Sequence, residues 1–383
     1  MSAVALGASI IIPILPVYAT QLGATGYQLG LIFSAFALAR SILVPAVGHL
    51  ADTHGRRVFM LTGLMIYSII AVAFSLANSV NQLILCRFIQ GAGAAMVIPI
   101  ARAYTGDMAS PGQEGRAMGH FNMAFFGGLA CGPWIGGYIK DFFGMHIAFY
   151  CMSGFALLGF LLSWFSLPRL GACFNAEQNE RKIPYLAMIR KPSISAMFIF
   201  RFGSIIGLGM NWTFLPLYGH TKIGLSGGNI GILVSLTVLM ATLFQPIFGR
   251  MADRVSRVWM NFNGGFWAST CLLGVPFCTG FWQLFFLNLL IGTAIGLYMP
   301  PLMAMAVDIG RKYDIMNRLM SLLEMAFSSG MVVGPIMAGL VAEAFGLRTI
   351  FWVGGIIGIV TSIGSLIIFL RMERIAEGGS SIF

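Results

Sequence analysis

Long apolar stretches alternate with short polar segments along almost the whole chain of 383 residues. Twelve of these stretches contain about 20 apolar residues, which is enough for an α-helix to cross a bilayer. The pattern therefore predicts an all-α integral membrane protein with twelve transmembrane helices. They are expected near residues 2–20, 27–50, 58–78, 82–104, 117–139, 145–167, 193–218, 228–251, 258–280, 283–307, 319–342 and 349–370.

A polar turn between the second and third stretches recurs in the second half of the chain. Adding 201 to Asp52 and Arg56 gives Asp253 and Arg257. A repeat of this length predicts two pseudo-symmetric six-helix halves around a central cavity, a plan common in secondary transporters. We expect an N-terminal bundle at 1–168, a cytoplasmic linker at 169–192, a C-terminal bundle at 193–371 and a cytoplasmic tail at 372–383.

Composition agrees with a membrane protein, because 58% of the residues are hydrophobic and only 9% are charged. The net charge of +10 comes from basic residues at the ends of apolar stretches, and seventeen of the 23 Lys and Arg residues fall in segments on one side. This bias predicts cytoplasmic N- and C-termini in a multi-pass protein of a cell membrane, which we expect to be a bacterial inner membrane. It argues against a nucleic-acid partner, since the basic residues form no single patch.

Two further sequence patterns stand out in the first half of the chain. The first is the whole turn Gly48-His-Leu-Ala-Asp52-Thr-His-Gly55-Arg56-Arg57. The second lies in the fourth stretch and includes Leu83, Arg87, Gln90, Gly91, Gly93, Ala94 and Ala95. Both patterns resemble those of the major facilitator superfamily, although Thr53 departs from the usual basic residue, and the resemblance covers the whole chain.

A third pattern occupies the fifth stretch and resembles the signature of the drug:proton antiporter group in that superfamily. Glycines at these spacings line one helix face and allow close approach of a neighbouring helix, while the proline loosens the helix. We expect a dry, bendable contact between the halves. The matching residues are Gly119, Gly128, Gly132, Pro133, Gly136 and Gly137.

The resemblance implies that the duplicated turn is a latch that holds the halves together on the cytoplasmic side. Asp107 and Asp308 follow the fourth and tenth stretches and are expected to pair with Arg56 and Arg257. The alternative is that these charges only orient their helices.

Four residues that carry a full charge at pH 7 lie inside the predicted spans away from the cytoplasmic rim: Arg40, Arg87, Arg201 and Glu324. Charged residues in a membrane are costly and predict a functional site. Arg87 has the alternative of reaching the outer surface with its long side chain. The first span has no acidic residue, whereas superfamily members that handle lipophilic cations commonly carry one there. The balance predicts an amphipathic substrate with a negative or zwitterionic group.

Glu324 is the candidate for proton coupling, because a lone carboxylate partly out of water can exchange a proton in each cycle. Pairing with Arg318 or Arg311 at the membrane rim is the open alternative. The other residues that we expect to line the substrate cavity, beside the three arginines, are Asn122, Asn211, Tyr18, Trp212 and Tyr298.

We expect a secondary active transporter, an exporter coupled to inward proton movement and working by alternating access, as a monomer with no cofactor. No GxxxxGK[ST] sequence for ATP binding and no HExxH occurs, so an enzyme is not expected. Uptake or lipid translocation by the same fold, and a membrane sensor without transport, remain alternatives.

Overall fold

The computed structural model describes residues 1–110, 113–167 and 184–377. Most of the predicted linker and the end of the predicted tail lie outside these residues. The side chain of Asp52 is also outside the described part, although its helix is within it.

The described residues form thirteen α-helices and no strand, so the predicted all-α fold is confirmed. Each of the twelve predicted spans coincides with one long helix. The one remaining helix, α7, is a short segment within the region predicted as linker. The helices are α1 Ser2–Gln21, α2 Gly26–His54, α3 Arg56–Ser75, α4 Val80–Asp107, α5 Glu114–Phe143, α6 Met145–Ser166, α7 Tyr185–Ile189, α8 Pro192–Lys222, α9 Gly227–Ala252, α10 Arg257–Gly274, α11 Phe281–Tyr313, α12 Met316–Phe345 and α13 Leu347–Glu377.

One predicted span ends earlier than expected. Its helix α10 stops at Gly274 and continues as a 3₁₀ turn over Val275–Phe277. Pro276 explains the change, because proline cannot donate the backbone hydrogen bond that an α-helix would need there.

Ten of the described helices are long and apolar enough to cross a membrane by length and composition. The predicted spans α5 and α10 are less hydrophobic than these ten helices, since glycines and polar residues such as Asn261 and Asn263 lower their mean hydropathy. Large apolar side chains cover the outside of the protein, among them Phe165, Phe277 and Phe345. Such a surface is stable against lipid and unfavourable in water.

Short turns join the helices, and glycine allows two of the sharpest. Gly55 has a φ of 96° between α2 and α3, and Gly144 has a φ of 86° between α5 and α6. Side chains with a β-carbon rarely adopt this region. At the start of α2, the Thr25 hydroxyl accepts a hydrogen bond from the Gln28 backbone N–H, and the Gln28 side-chain oxygen accepts one from the Thr25 backbone N–H, which is a complete capping box.

The chain packs into two compact units that differ from the two predicted bundles. The first unit contains α1–α6 together with Trp212–Leu239 and Pro335–Ala344. The second contains Met240–Gly334, α7, α13 and the part of α8 up to Asn211. Parts of α8, α9 and α12 therefore pack with the N-terminal helices, so compact packing does not divide at the junction of the sequence repeat. The bundle boundaries predicted from the repeat stay a prediction.

The core of the second unit includes the short helix α7. Met188 is fully buried there among side chains of α8, α11 and α12, such as Met197, Leu302 and Leu319. Lys191, just after α7, lies 3.7 Å from the centre of the Tyr313 ring. The end of the region predicted as linker is therefore anchored to this unit by apolar packing and a cation–π contact.

Candidate functional site

The two copies of the polar turn carry equivalent ion pairs. Arg56 at the start of α3 pairs with Asp107 at the end of α4, and Arg257 at the start of α10 pairs with Asp308 on α11. The predicted partners are confirmed. Each pair lies within one compact unit, where it connects consecutive long helices. A latch between the halves therefore requires a further contact, and this role of the turn stays a prediction.

The turns differ in detail. Arg257 also lies 3.8 Å from Asp253 and donates from Nε to the Ala252 carbonyl at 3.2 Å. In the first copy, Arg57 donates to the Trp164 carbonyl and lies 5.8 Å from the centre of its ring. The space around Gly48 and Gly55 is open, so neither glycine is needed for close packing. Gly55 is needed for its positive φ, whereas Gly48 lies within α2 and has none.

The glycines of α5 do not line a single face, as the spacing predicted, but serve two faces. A β-carbon added at Gly128, Gly132 or Gly136 would lie 2.4–2.5 Å from backbone oxygens of α1. Gly137 instead meets α9, where an added β-carbon would lie 2.0 Å from the Gly227 oxygen. Gly119 has open space around it. The reason is helix geometry, because residues four apart share a face and Gly137 is rotated by one residue from Gly136.

We expect Gly136→Ala to lower the stability of the folded protein by about 1–3 kcal/mol, because the added methyl group meets the Ile10 carbonyl of α1, which cannot rotate away. The matched control is Gly119→Ala on the same helix, where the methyl group has room. Thermal unfolding of both variants in detergent measures the difference. Equal melting temperatures for the two variants and the parent would contradict the close packing of α1 and α5.

Arg87 on α4 is buried in the first unit, with 5% of its surface exposed. It donates to the Gln90 side chain at 2.8 Å, and its guanidinium lies 4.8 Å and 5.5 Å from the ring centres of Phe33 and Phe36 on α2. Its Nε has no partner among the described residues. The burial excludes the alternative that this side chain reaches the outer surface.

Tyr67 on α3 is buried and lies within electrostatic reach of both Arg87 and Arg40. Arg40 is partly exposed, whereas Arg87 is enclosed. The first unit thus has one tyrosine within electrostatic reach of two predicted arginines. The sequence analysis missed it, because nothing in the sequence distinguishes Tyr67 from an aromatic residue that packs against lipid or another helix.

Arg201 on α8 is the corresponding buried cation of the second unit, with 5% exposure. It donates to the Met299 sulfur at 2.8 Å and lies 5.0 Å from the centre of the Phe327 ring. It lies within electrostatic reach of Glu324. Its Nε has no partner among the residues described.

Glu324 on α12 is exposed and lies within electrostatic reach of Arg201. The alternative partner Arg318 lies over the Tyr185 ring, 5.9 Å from its centre. The structure therefore brings together two residues that the sequence analysis singled out separately, the candidate coupling carboxylate and one candidate substrate arginine. A carboxylate beside a buried guanidinium can balance its charge, and so can an anion from solution.

The remaining predicted cavity residues have different surroundings. Asn211 has 1% exposure, and neither its amide oxygen nor its amide nitrogen has a hydrogen-bond partner in the described part of the chain. The partly buried Trp212 likewise has an indole N–H without a described partner. The hydroxyl of Tyr18 donates to the Ala77 carbonyl at 2.8 Å, so it already serves helix packing. Asn122 is partly buried.

Comparison with known proteins places the chain among membrane transporters. The family model described as Major Facilitator Superfamily matches residues 1–227 and 197–381. The chain is 28% identical over 374 residues to the uncharacterized MFS-type transporter MJ1560 of Methanocaldococcus jannaschii, covering 96% of this chain and 95% of that protein. It is 26% identical over 341 residues to the quinolone resistance protein NorA of Staphylococcus aureus, covering 87% and 86%.

Solved structures share the fold. A nucleoside transporter, NupG, superposes with a TM-score of 0.81 at 14% identity, over 96% of this chain and 98% of that one. A bacterial homologue of the human lysosomal transporter Spinster, in an inward-facing and unoccupied conformation, gives a TM-score of 0.79 at 15% identity, over 96% and 94%. At these identities the likeness concerns the fold alone.

Proposed function

Because the chain belongs to the Major Facilitator Superfamily, a family of membrane transporters, we propose that it is a proton-coupled exporter of an amphipathic zwitterion. The observation that carries the proposal is the approach of Glu324 to the buried Arg201. Alternating access moves the substrate across the membrane, and Glu324 carries the proton. The three arginines inside the spans, the amide of Asn211 and the indole of Trp212 contact the substrate.

The charges of this pair determine the direction of coupling. When Glu324 is ionised it balances Arg201, and a substrate with both charges can replace this interaction, its anion at Arg201 and its cation at Glu324. The cation then competes with the proton for the carboxylate. Competition for one site is what exchange of a substrate for a proton requires, because the two must not travel together.

A simple anion would behave differently. Protonation of Glu324 would release Arg201 for the anion, so that proton and anion would bind together and move in the same direction. Uptake of an anion is therefore the second candidate function, and the excess of arginines over carboxylates in the spans favours it. Export remains the first candidate function, because the similar protein NorA is a quinolone resistance protein.

The proposed membrane arrangement follows the charge distribution. We infer cytoplasmic N- and C-termini, so that the ion-paired turns at Arg56 and Arg257 face the cytoplasm and the α5–α6 turn faces outward. We further propose a monomer with bundles at 1–168 and 193–371 that alternate around the substrate.

The test uses purified protein in liposomes that enclose a pH-sensitive dye. Amphipathic zwitterions, anions and cations of similar size are added outside without a pH gradient. Exchange predicts that only the zwitterions drive protons in the opposite direction. Proton movement in the same direction as an added anion would replace export by uptake, and a response to cations alone would overturn the charge assignment.

A further inference from the structure

The carboxylate of Asp141, near the end of α5, binds the first turn of α9. Its two oxygens accept hydrogen bonds from the backbone N–H groups of Gly227 and Gly228 at 2.9 Å and 2.7 Å. The first N–H groups of an α-helix have no partner within the helix and carry a partial positive charge. Asp141 therefore supplies both hydrogen-bond acceptors and a compensating negative charge.

The same contact occurs a second time at the equivalent positions of the repeat. Glu343, which is Asp141 plus 202, accepts a hydrogen bond from the backbone N–H of Tyr27 at 2.9 Å and another from the Thr25 hydroxyl. Tyr27 is the second residue of α2, as Gly228 is the second residue of α9. The charged contact is therefore duplicated, although the residues are Asp in one copy and Glu in the other.

Backbone contacts beside each carboxylate follow the same symmetry. An added β-carbon at Gly137 would lie 2.0 Å from the Gly227 oxygen, and one at Gly339 would lie 2.3 Å from the Gly26 oxygen. One turn further into each helix pair, Gly231 meets the Pro133 oxygen and Gly30 meets the Pro335 oxygen, with added β-carbons at 2.2 Å and 2.3 Å. All these residues belong to the first compact unit. Helices α5 and α9, and α2 and α12, thus touch backbone to backbone at one end.

We propose that Asp141 and Glu343 are positioning residues of the transport cycle that together close the extracellular end and release it once in each cycle. The glycine contacts bring each helix pair together but give little preference for one arrangement. The carboxylates add a directed, charge-assisted interaction. When the helices separate, water can solvate both the exposed carboxylate and the helix terminus, so the closed state gains only a modest preference and stays reversible.

The inference rests on alternating access and on the outward orientation of the α5–α6 turn. It needs neither the identity of the substrate nor the coupling ion. A wrong substrate class therefore leaves the expected result of the following experiment unchanged.

The test measures how often the extracellular end opens. Ser235→Cys, in a chain whose six native cysteines are replaced, places one thiol in the α5–α9 contact, where the Ser235 hydroxyl accepts a hydrogen bond from the Trp134 backbone at 3.1 Å. A membrane-impermeant maleimide added outside whole cells labels this thiol when the end is open. We expect Asp141→Asn and Glu343→Gln each to raise the labelling rate about threefold, and the double variant about tenfold.

Two controls separate the proposed role from general loosening. Asp141→Glu and Glu343→Asp keep the charge and should label within about twofold of the parent. Asp314→Asn makes the same chemical change in the exposed turn between α11 and α12, and should leave the rate unchanged. An unchanged rate in the double variant, with full labelling after denaturation, would overturn the proposal. An equal rise in Asp314→Asn would also overturn it.

Discussion

Glu324→Gln is expected to abolish transport driven by a pH gradient and to weaken, without abolishing, substrate binding, because Arg201 still holds the substrate anion. Glutamine keeps the shape and the hydrogen-bonding oxygen but cannot exchange a proton in the cycle. Arg201 would lose its nearby carboxylate and keep its full positive charge. Exchange of labelled substrate across liposomes without a pH gradient should continue, because both directions then use the same permanently neutral side chain.

The measurement compares gradient-driven flux with exchange in the same preparation. Asp314→Asn is the matched control, since it removes another exposed carboxylate from a turn outside the spans. Undiminished gradient-driven flux in Glu324→Gln would remove Glu324 from coupling. It would direct the search to the carboxylates Asp52, Asp107 and Asp308 at the predicted cytoplasmic end, or to a different ion.

Arg201→Ala is expected to weaken binding of an anionic or zwitterionic substrate by about 10- to 100-fold, the loss of one charge-assisted hydrogen bond. Arg201 is the arginine best placed for this role, since it is buried within electrostatic reach of Glu324 and retains an Nε without a described partner. Arg40→Ala should weaken binding as well, while Arg40→Lys and Arg201→Lys should weaken it less if the contact is charge alone.

Binding is measured by calorimetry on purified variants, with melting temperatures to exclude unfolding. Lys222→Ala is the control, because it removes a positive charge at the end of α8, in a predicted extracellular turn. Tight binding of lipophilic cations that is indifferent to both arginine-to-alanine changes would overturn the negative or zwitterionic substrate. If each arginine binds the substrate anion through two parallel hydrogen bonds, lysine cannot replace it, and the lysine and alanine variants should lose the same amount of affinity.

The surroundings of Arg87 and Arg201 explain why we expect different effects from substituting them. Arg87 and Arg201 are both buried, and each retains an unpaired guanidinium nitrogen among the described residues. Arg87 is balanced by aromatic rings and an amide, whereas Arg201 has a carboxylate within reach. We therefore expect substitution of Arg87 to impair folding more than substitution of Arg201 does, since Arg87 contacts two rings of α2 and an amide of α4.

Much of the architecture was predictable from the sequence because a bilayer imposes a local rule. Every backbone polar group must find its partner within a helix, so each apolar stretch of sufficient length must be one helix. The twelve long helices follow from this rule. The pairs of Arg56 with Asp107 and Arg257 with Asp308 were also predictable, since the repeat places the same two residues at the ends of consecutive helices.

Contacts between distant helices were decided only by the tertiary structure. Which side chains meet depends on the rotation and tilt of every helix about its own axis, and neither is encoded in an apolar stretch. The approach of Glu324 to Arg201 and the contact of Phe327 with the same guanidinium belong to this class.

The contacts of Asp141 and Glu343 depend partly on the sequence repeat and partly on how the helices pack. The offset of 202 relates them in the sequence, yet Asp and Glu differ, and both lie at helix ends where charged residues are common. Only the packing of α5 on α9 and of α12 on α2 brings them to helix N-termini. The sequence repeat predicts that a contact in one half has an equivalent in the other half. The tertiary structure determines which group each carboxylate binds, because a helix N-terminus attracts a carboxylate only within about one turn.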